Sequence, residues 1–156
     1  MTCPRIVPPA ACATHGEAVA ASAAARHVFA YGTLRRGEVN DINLLEPPPT
    51  YVGHAEIEGT LYCLGWYPGL TVQRGATVQG EVYRVSPALE RRLDEIEGLL
   101  PEPTGEYSKA MRQVRMASGG ALECVVYEIN PSVLREPREV IPHGDWCVFS
   151  AALSGR

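Results

Sequence analysis

Residues 55–64, AEIEGTLYCL, alternate apolar and polar with a period of two. Ile57, Gly59, Leu61 and Cys63 fall on one face, and Glu56, Glu58, Thr60 and Tyr62 on the other. Such alternation fits a strand with one buried face. Further strands are predicted over Val28–Tyr31, over TVQGEVYRV (77–85) and over ECVVYEI (123–129). AMRQVRMA (110–117) precedes the last of these across Ser118-Gly119-Gly120, which has the turn chemistry of a hairpin. Gly59 and Gly80 stand inside strands, where glycine marks the bends or bulges that let a sheet curl shut. The pattern predicts a barrel.

One helix interrupts the strands. Ser86 suits an N-cap, Pro87 the first helical position and Gly98 a stop. Between them ALERRLDEIE sets Leu89, Leu93 and Ile96 on one stripe and leaves Arg91 and Arg92 on a solvated face. The residues therefore read as an α+β fold, a sheet bent toward a barrel with a few short helices. Pro68-Gly69 in WYPGL reads as a type II turn with aromatic packing neighbours. The prolines of EPPP (46–49) read as a rigid loop inside the domain.

At 156 residues the chain has the size of one domain, assigned to 27–156, after a poorly specified extension over 1–26. That extension is alanine-rich from Ala18 to Ala25 and fits a short helix over Glu17–Ala25. Pro4, Pro8, Pro9 and the run His15-Gly16-Glu17 interrupt the apolar core that a secretory signal needs. No stretch approaches the ~18 apolar residues of a membrane span. A net charge of −4 with no basic stripe argues against nucleic acid as a partner. The five cysteines include no C-x-x-C, and no histidine cluster has zinc-ligand spacing, so no metal site is expected. Scattered thiols of this kind predict a reduced, cytoplasmic protein. Oligomeric state is left open by these features.

Two places carry chemistry. On an α-helix Glu97 falls beside Leu93 at the border of the apolar stripe, with Asp94 one turn earlier and further out. Partial burial, a nearby carboxylate and the negative end of the helix dipole would all raise its pKa. A glutamate so placed suits proton transfer near neutral pH; its plainer reading is a boundary residue in a helix tail. The second place is FAYGTLRRG (29–37), where a strand leaves through Gly32. Backbone N–H groups at such an exit bind carboxylates or oxyanions, and Arg35 or Arg36 could add charge. Gly37 is followed by Glu38, so this is no phosphate-binding Walker loop. Without further information it also reads as a structural turn.

YGTLRRG followed by Asn40, then GTLY, YPGL, GEVY, LDEIEG, a downstream EY and HGDW (143–146), occur in the order and spacing of the γ-glutamylcyclotransferase-like family, which the chain resembles from about Val28 to Tyr127 and again at 143–146. The resemblance implies a mixed barrel whose cavity holds a γ-glutamyl group. It implies that Tyr31, Gly32, Thr33 and Leu34 bind the substrate's α-amino acid end, largely through backbone groups. It assigns Glu97 as catalytic acid/base and Tyr107 as a substrate-binding residue, with Lys109 in the basic position two residues on. The substrate would be a small γ-glutamyl compound cyclised to 5-oxoproline, with no cofactor and no metal. Two features depart from the family. GLLPEPTGEY (98–107) carries two prolines ahead of Tyr107, and Thr33 with Arg35-Arg36 differs from the Tyr-Gly-Ser-Leu-Ile-Trp of glutathione-specific relatives. A non-catalytic binding barrel of the same fold, and an enzyme removing a γ-glutamyl protecting group in a biosynthetic pathway, remain as alternatives.

Overall fold

The computed structural model describes residues 25–136 and 138–154. In chain order these form β1 (Arg26–Ala30), β2 (Thr50–Cys63), β3 (Pro68–Val85), α1 (Pro87–Ile96), β4 (Tyr107–Met116), β5 (Ala121–Ile129), the short β6 (Glu139–Val140) and α2 (Trp146–Ser154). The sheet runs β3-β1-β5-β4-β2, and β2 pairs back onto β3, which closes a five-stranded barrel. β1 lies parallel to β5, with Val28 opposite Val125, and every other pairing is antiparallel. β6 adds to the free edge of β2. The α+β class and the mixed barrel expected from the sequence are what the chain forms.

Alternation along the strands sorts side chains into two cores. Phe29, Ile57, Leu61, Leu70, Val78, Val82, Cys124 and Val126 form one buried cluster, which fills the barrel. Val28, Ala30, Tyr83, Val85, Val125 and Tyr127 form a second, closed over by Leu89 and Leu93 of α1. Residues 28–30 of β1 are thus buried on both faces, which is why that part of the strand is an apolar run. The helix is set as its ends predict. Ser86 Oγ accepts the Leu89 N–H at 3.1 Å, Pro87 leads, and the chain leaves through Gly98 at φ +78°.

Three local expectations need correction. β3 begins at Pro68 and not at Thr77, so Pro68-Gly69 is no turn. The reversal falls at 64–67, where the Leu64 N–H donates to Tyr67 O at 2.9 Å. Gly69 serves clearance, since a Cβ there would stand 2.7 Å from Ile129 Cβ. Gly80 is likewise no bulge. The ladder passes it without a register shift, and an added Cβ would lie 2.6 Å from Phe29 Cζ and from Ala30 O. Gly59 does sit at a register shift: Glu58 faces Thr77 while Gly59 faces Val72, so residues 73–76 loop out of the ladder.

Arg26, assigned to the extension, opens β1; the rest of that extension, with its expected helix and Cys3 and Cys12, lies outside the described residues except for Ala25. Cys63, Cys124 and Cys147 are free thiols. Among the described residues no helix is long and apolar enough to cross a membrane.

Loss of the helix cap should be felt by the whole domain. Ser86→Ala is expected to cost about 1 kcal/mol, lowering Tm by about 2–4 °C in a thermal melt followed by circular dichroism.

Candidate active site

Beyond β1 the chain turns sharply and spends its carbonyls internally. The Arg35 N–H donates to Gly32 O at 3.0 Å, the Asn40 N–H to Thr33 O at 2.9 Å and the Ile42 N–H to Leu34 O at 2.9 Å. Among the described residues, no backbone carbonyl takes up the N–H of Gly32, Thr33 or Leu34. Unclaimed donors in a turn are what a carboxylate or oxyanion requires. Position 32 excludes a side chain because Pro68 lies against it: a Cβ would stand 2.6 Å from Pro68 Cγ.

The two arginines turn away from this place, against the expectation that one of them adds charge to it. Arg35 is 4 % exposed; its Nε donates to Glu81 Oε2 at 3.0 Å and its Nη1 to Asp145 Oδ1 at 2.9 Å. Glu81 also accepts from the Arg36 N–H at 3.0 Å and the Tyr83 hydroxyl at 2.7 Å. The Arg36 guanidinium stacks over the Tyr51 ring, 5.5 Å from its centroid.

Glu97 caps the C-terminus of α1, its N–H donating to Leu93 O at 2.9 Å. Burial, joined by the charge of Glu106, raises its carboxyl to about 7, and among the described residues no hydrogen bond offsets this. At neutral pH both its protonation states are populated. The neighbouring carboxylate expected from the sequence was Asp94. Asp94 instead accepts from the Tyr127 hydroxyl at 2.7 Å and from Lys109 Nζ at 3.0 Å. Lys109 also pairs with Glu90, and Glu90 with Arg26, so this basic position braces α1 against the barrel wall.

A cavity of about 260 Å³ brings Tyr31, Gly32, Thr33, Leu34, Glu97 and Tyr107 together. All six candidate residues from the sequence line it. Tyr107 opens β4, and its hydroxyl donates to Pro68 O at 2.6 Å, so the ring and not the hydroxyl is offered to the cavity. Burial holds that phenol, like those of Tyr31 and Tyr127, well above its usual range, keeping each protonated. The Tyr31 hydroxyl donates to Tyr127 O.

Sequence reasoning gave no site role to other wall residues, among them Asn40, Trp66, Tyr67, Glu106 and Tyr127. Asn40 Nδ2 donates to Thr33 Oγ1 at 3.2 Å and so steadies the turn. The Tyr67 hydroxyl donates to Glu106 Oε2 at 2.7 Å, which with burial raises that phenol to about 12. Glu106 had a signal, since it immediately precedes Tyr107. Tyr67 stands in the YPGL block of the family resemblance, and Trp66 had no signal beyond aromatic character. Among the described residues no three His, Cys, Asp or Glu side chains converge as metal ligands would. Free amide donors, a carboxyl poised near neutrality and a small enclosed volume suit a proton-transfer reaction on a compact polar group.

Residues 28–148 match the family described as gamma-glutamyl cyclotransferase, AIG2-like, and the chain belongs to that family. The gamma-glutamylcyclotransferase family protein YtfP of Escherichia coli K12 is 33 % identical over 120 residues, spanning 76 % of this chain and 94 % of its own. Among solved structures, the mouse AIG2-like protein superposes with a TM-score of 0.60 at 26 % identity, covering 72 % of this chain and 80 % of its own. The Pyrococcus horikoshii protein PH0828 shares the fold, with a TM-score of 0.59 at 22 % identity over 84 % of this chain and 98 % of its own.

Removing one partner of the buried pair strands the other. Arg35→Ala should destabilise the domain by about 3–5 kcal/mol in a urea titration, because Glu81 is left charged and buried. Arg36→Ala, which removes only an exposed stacking contact, should change the midpoint far less.

Proposed function

We propose that this protein cleaves a γ-glutamyl amide or γ-glutamylamine by intramolecular cyclisation, releasing 5-oxoproline and a free amine. The observation that carries this reading is Glu97, a cavity carboxyl with a pKa near 7 and, among the described residues, no hydrogen-bond partner, lining the same cavity as residues 32–34, whose N–H groups no described carbonyl takes up. The turn amides hold the substrate's α-carboxylate, which folds the α-amine back toward its own γ-carbonyl. Tethering supplies proximity, so the protein has only to select the folded conformer and manage protons.

Glu97 as carboxylate takes a proton from the α-ammonium. The freed lone pair attacks the γ-carbonyl carbon, a new C–N bond closes the five-membered lactam, and the original amide C–N bond breaks. Glu97 as acid returns a proton to the departing nitrogen. The second proton shed by the attacking nitrogen also ends on the released amine, which leaves as an ammonium at neutral pH. The three free thiols among the described cysteines support a reducing, cytoplasmic setting.

The test is to incubate the protein with γ-glutamyl amino acids, γ-glutamylamines and glutathione and to assay 5-oxoproline. Product from at least one is expected. Substrate binding without product from any would leave the non-catalytic barrel as the better description.

Glu97→Gln should lower kcat by about 10²–10⁴-fold, the usual cost of losing general acid–base help. In the wild type kcat/KM should rise with pH through about 7 as Glu97 ionises. The same shift predicts a stability effect. A carboxyl raised from 4.5 to about 7 contributes stability that is full below about pH 4.5 and lost as pH rises through 7. Glu97→Gln removes that loss, so the variant should be more stable than the wild type at pH 8, by up to about 3 kcal/mol, and lose this advantage near pH 4.

A further inference from the structure

The cavity has a charge that the γ-glutamyl group does not match. Its described wall carries two carboxylates, Glu97 and Glu106, and no lysine or arginine. Arg35 and Lys109 are consumed by Glu81, Asp145, Glu90 and Asp94, and the Arg36 guanidinium stacks on Tyr51. A γ-glutamyl group brings one ammonium and one carboxylate at its α-carbon and is neutral overall. Glu97 works on that ammonium; Glu106 is left over. Its Oε2 accepts from the neutral Tyr67 hydroxyl, which orients the carboxylate without cancelling its charge.

Burial shows where Glu106 acts. Tyr31, Gly32 and Leu34 are buried and form the deep end of the cavity, whereas Trp66 is 67 % exposed and Thr104 is exposed, so they form its mouth. The Tyr67–Glu106 hydrogen bond joins the Trp66 side of that mouth to the Thr104 side. Trp66 lines the cavity with its ring edge-on to Tyr67, the centroids 4.9 Å apart. An exposed indole and a carboxylate lining one cavity, linked through Tyr67, can attract an organic cation through the ring face and by direct charge. The amine that departs must lie toward the mouth, since the α-amino acid end fills the deep turn.

Taking the proposed cyclisation as its basis, we infer that Trp66, Tyr67 and Glu106 form a leaving-group subsite that selects γ-glutamyl conjugates whose amine portion carries a second positive charge, such as a mono-γ-glutamyl diamine. An anionic leaving portion, such as the cysteinylglycine of glutathione, meets Glu106 as a like charge and is disfavoured.

A matched pair of substrates tests this: mono-γ-glutamyl-1,4-diaminobutane, and γ-glutamyl-pentylamine, in which a methyl group replaces the terminal ammonium. The wild type should favour the cationic substrate about tenfold or more in kcat/KM. Glu106→Gln, which keeps an acceptor for Tyr67, should bring the ratio near one, and Trp66→Ala should lower it several-fold. Because the ratio is taken at one pH, the change that Glu106→Gln makes to Glu97 affects both substrates and cancels. Turnover of both substrates with a ratio near one, or an unchanged ratio in Glu106→Gln, overturns the subsite while leaving the cyclisation standing. Absence of 5-oxoproline from both substrates overturns the cyclisation instead. Calorimetry on the Glu97→Gln protein then decides the subsite without turnover: tighter binding of the diamine conjugate, lost when Glu106→Gln is added, supports it, and equal affinities overturn it.

Discussion

The Arg35 guanidinium holds the rest of the site in place. It lies almost wholly out of water between Glu81 on the barrel and Asp145 ahead of α2. A buried ion pair repays its desolvation only when its remaining donors and acceptors are also satisfied. Glu81 meets that condition by accepting from Arg35, from the Arg36 N–H and from the Tyr83 hydroxyl. Tyr83 in turn accepts from Asn43 Nδ2, which carries the network into the loop after the turn. Asp145 accepts from the Val148 N–H as well, so the same guanidinium docks the C-terminal helix. Residues 32–34 can then spend their carbonyls on their own loop, and among the described residues no carbonyl claims their N–H groups.

A second charge network does the corresponding work on the opposite wall. Arg26 and Lys109 clasp Glu90, Lys109 reaches Asp94, and Asp94 receives the Tyr127 hydroxyl. These contacts hold α1 against β1, β4 and β5 by its polar edge, while Leu89 and Leu93 hold it by the apolar one. The helix therefore ends at a defined place, and the residue at that end is Glu97. Arg26, Lys109 and Arg35 are engaged in the two networks and Arg36 on Tyr51, so among the described residues nothing offsets the burial of the Glu97 carboxyl, and Glu106 adds repulsion. Its proton affinity is a consequence of how the cations elsewhere are used.

Much of this was legible in the chain. Strand alternation in 55–64, the glycine pair after Ser118 and the Ser86–Gly98 punctuation are local signals, because backbone geometry and one-sided burial act over a few residues. They yielded the class of fold, the hairpin and the site helix with Glu97 at its edge. Local signals failed where clearance mimicked turn chemistry. Gly69 and Gly80 are glycine because Ile129 and Phe29, distant in sequence, press on them. Glu106 takes the part expected of Asp94 for a similar reason: helical spacing brings Asp94 toward Glu97, but Tyr127 and Lys109 from neighbouring strands draw it away.

By itself, then, the sequence determined the periodicities, the cap and stop of α1, and the residue types gathered around the cavity, since each depends on neighbours within a turn or a strand. Tertiary structure alone decided which charges remain free. Arg35 and Arg36 look equally available beside the turn, yet one is buried between two acids and the other stacks on Tyr51. Glu97 and Glu106 are nine positions apart with two prolines between them, and they share a cavity because barrel closure brings the end of α1 and the start of β4 to one mouth. Pairing of charges is a long-range choice made when the barrel shuts, and no spacing along the chain encodes it.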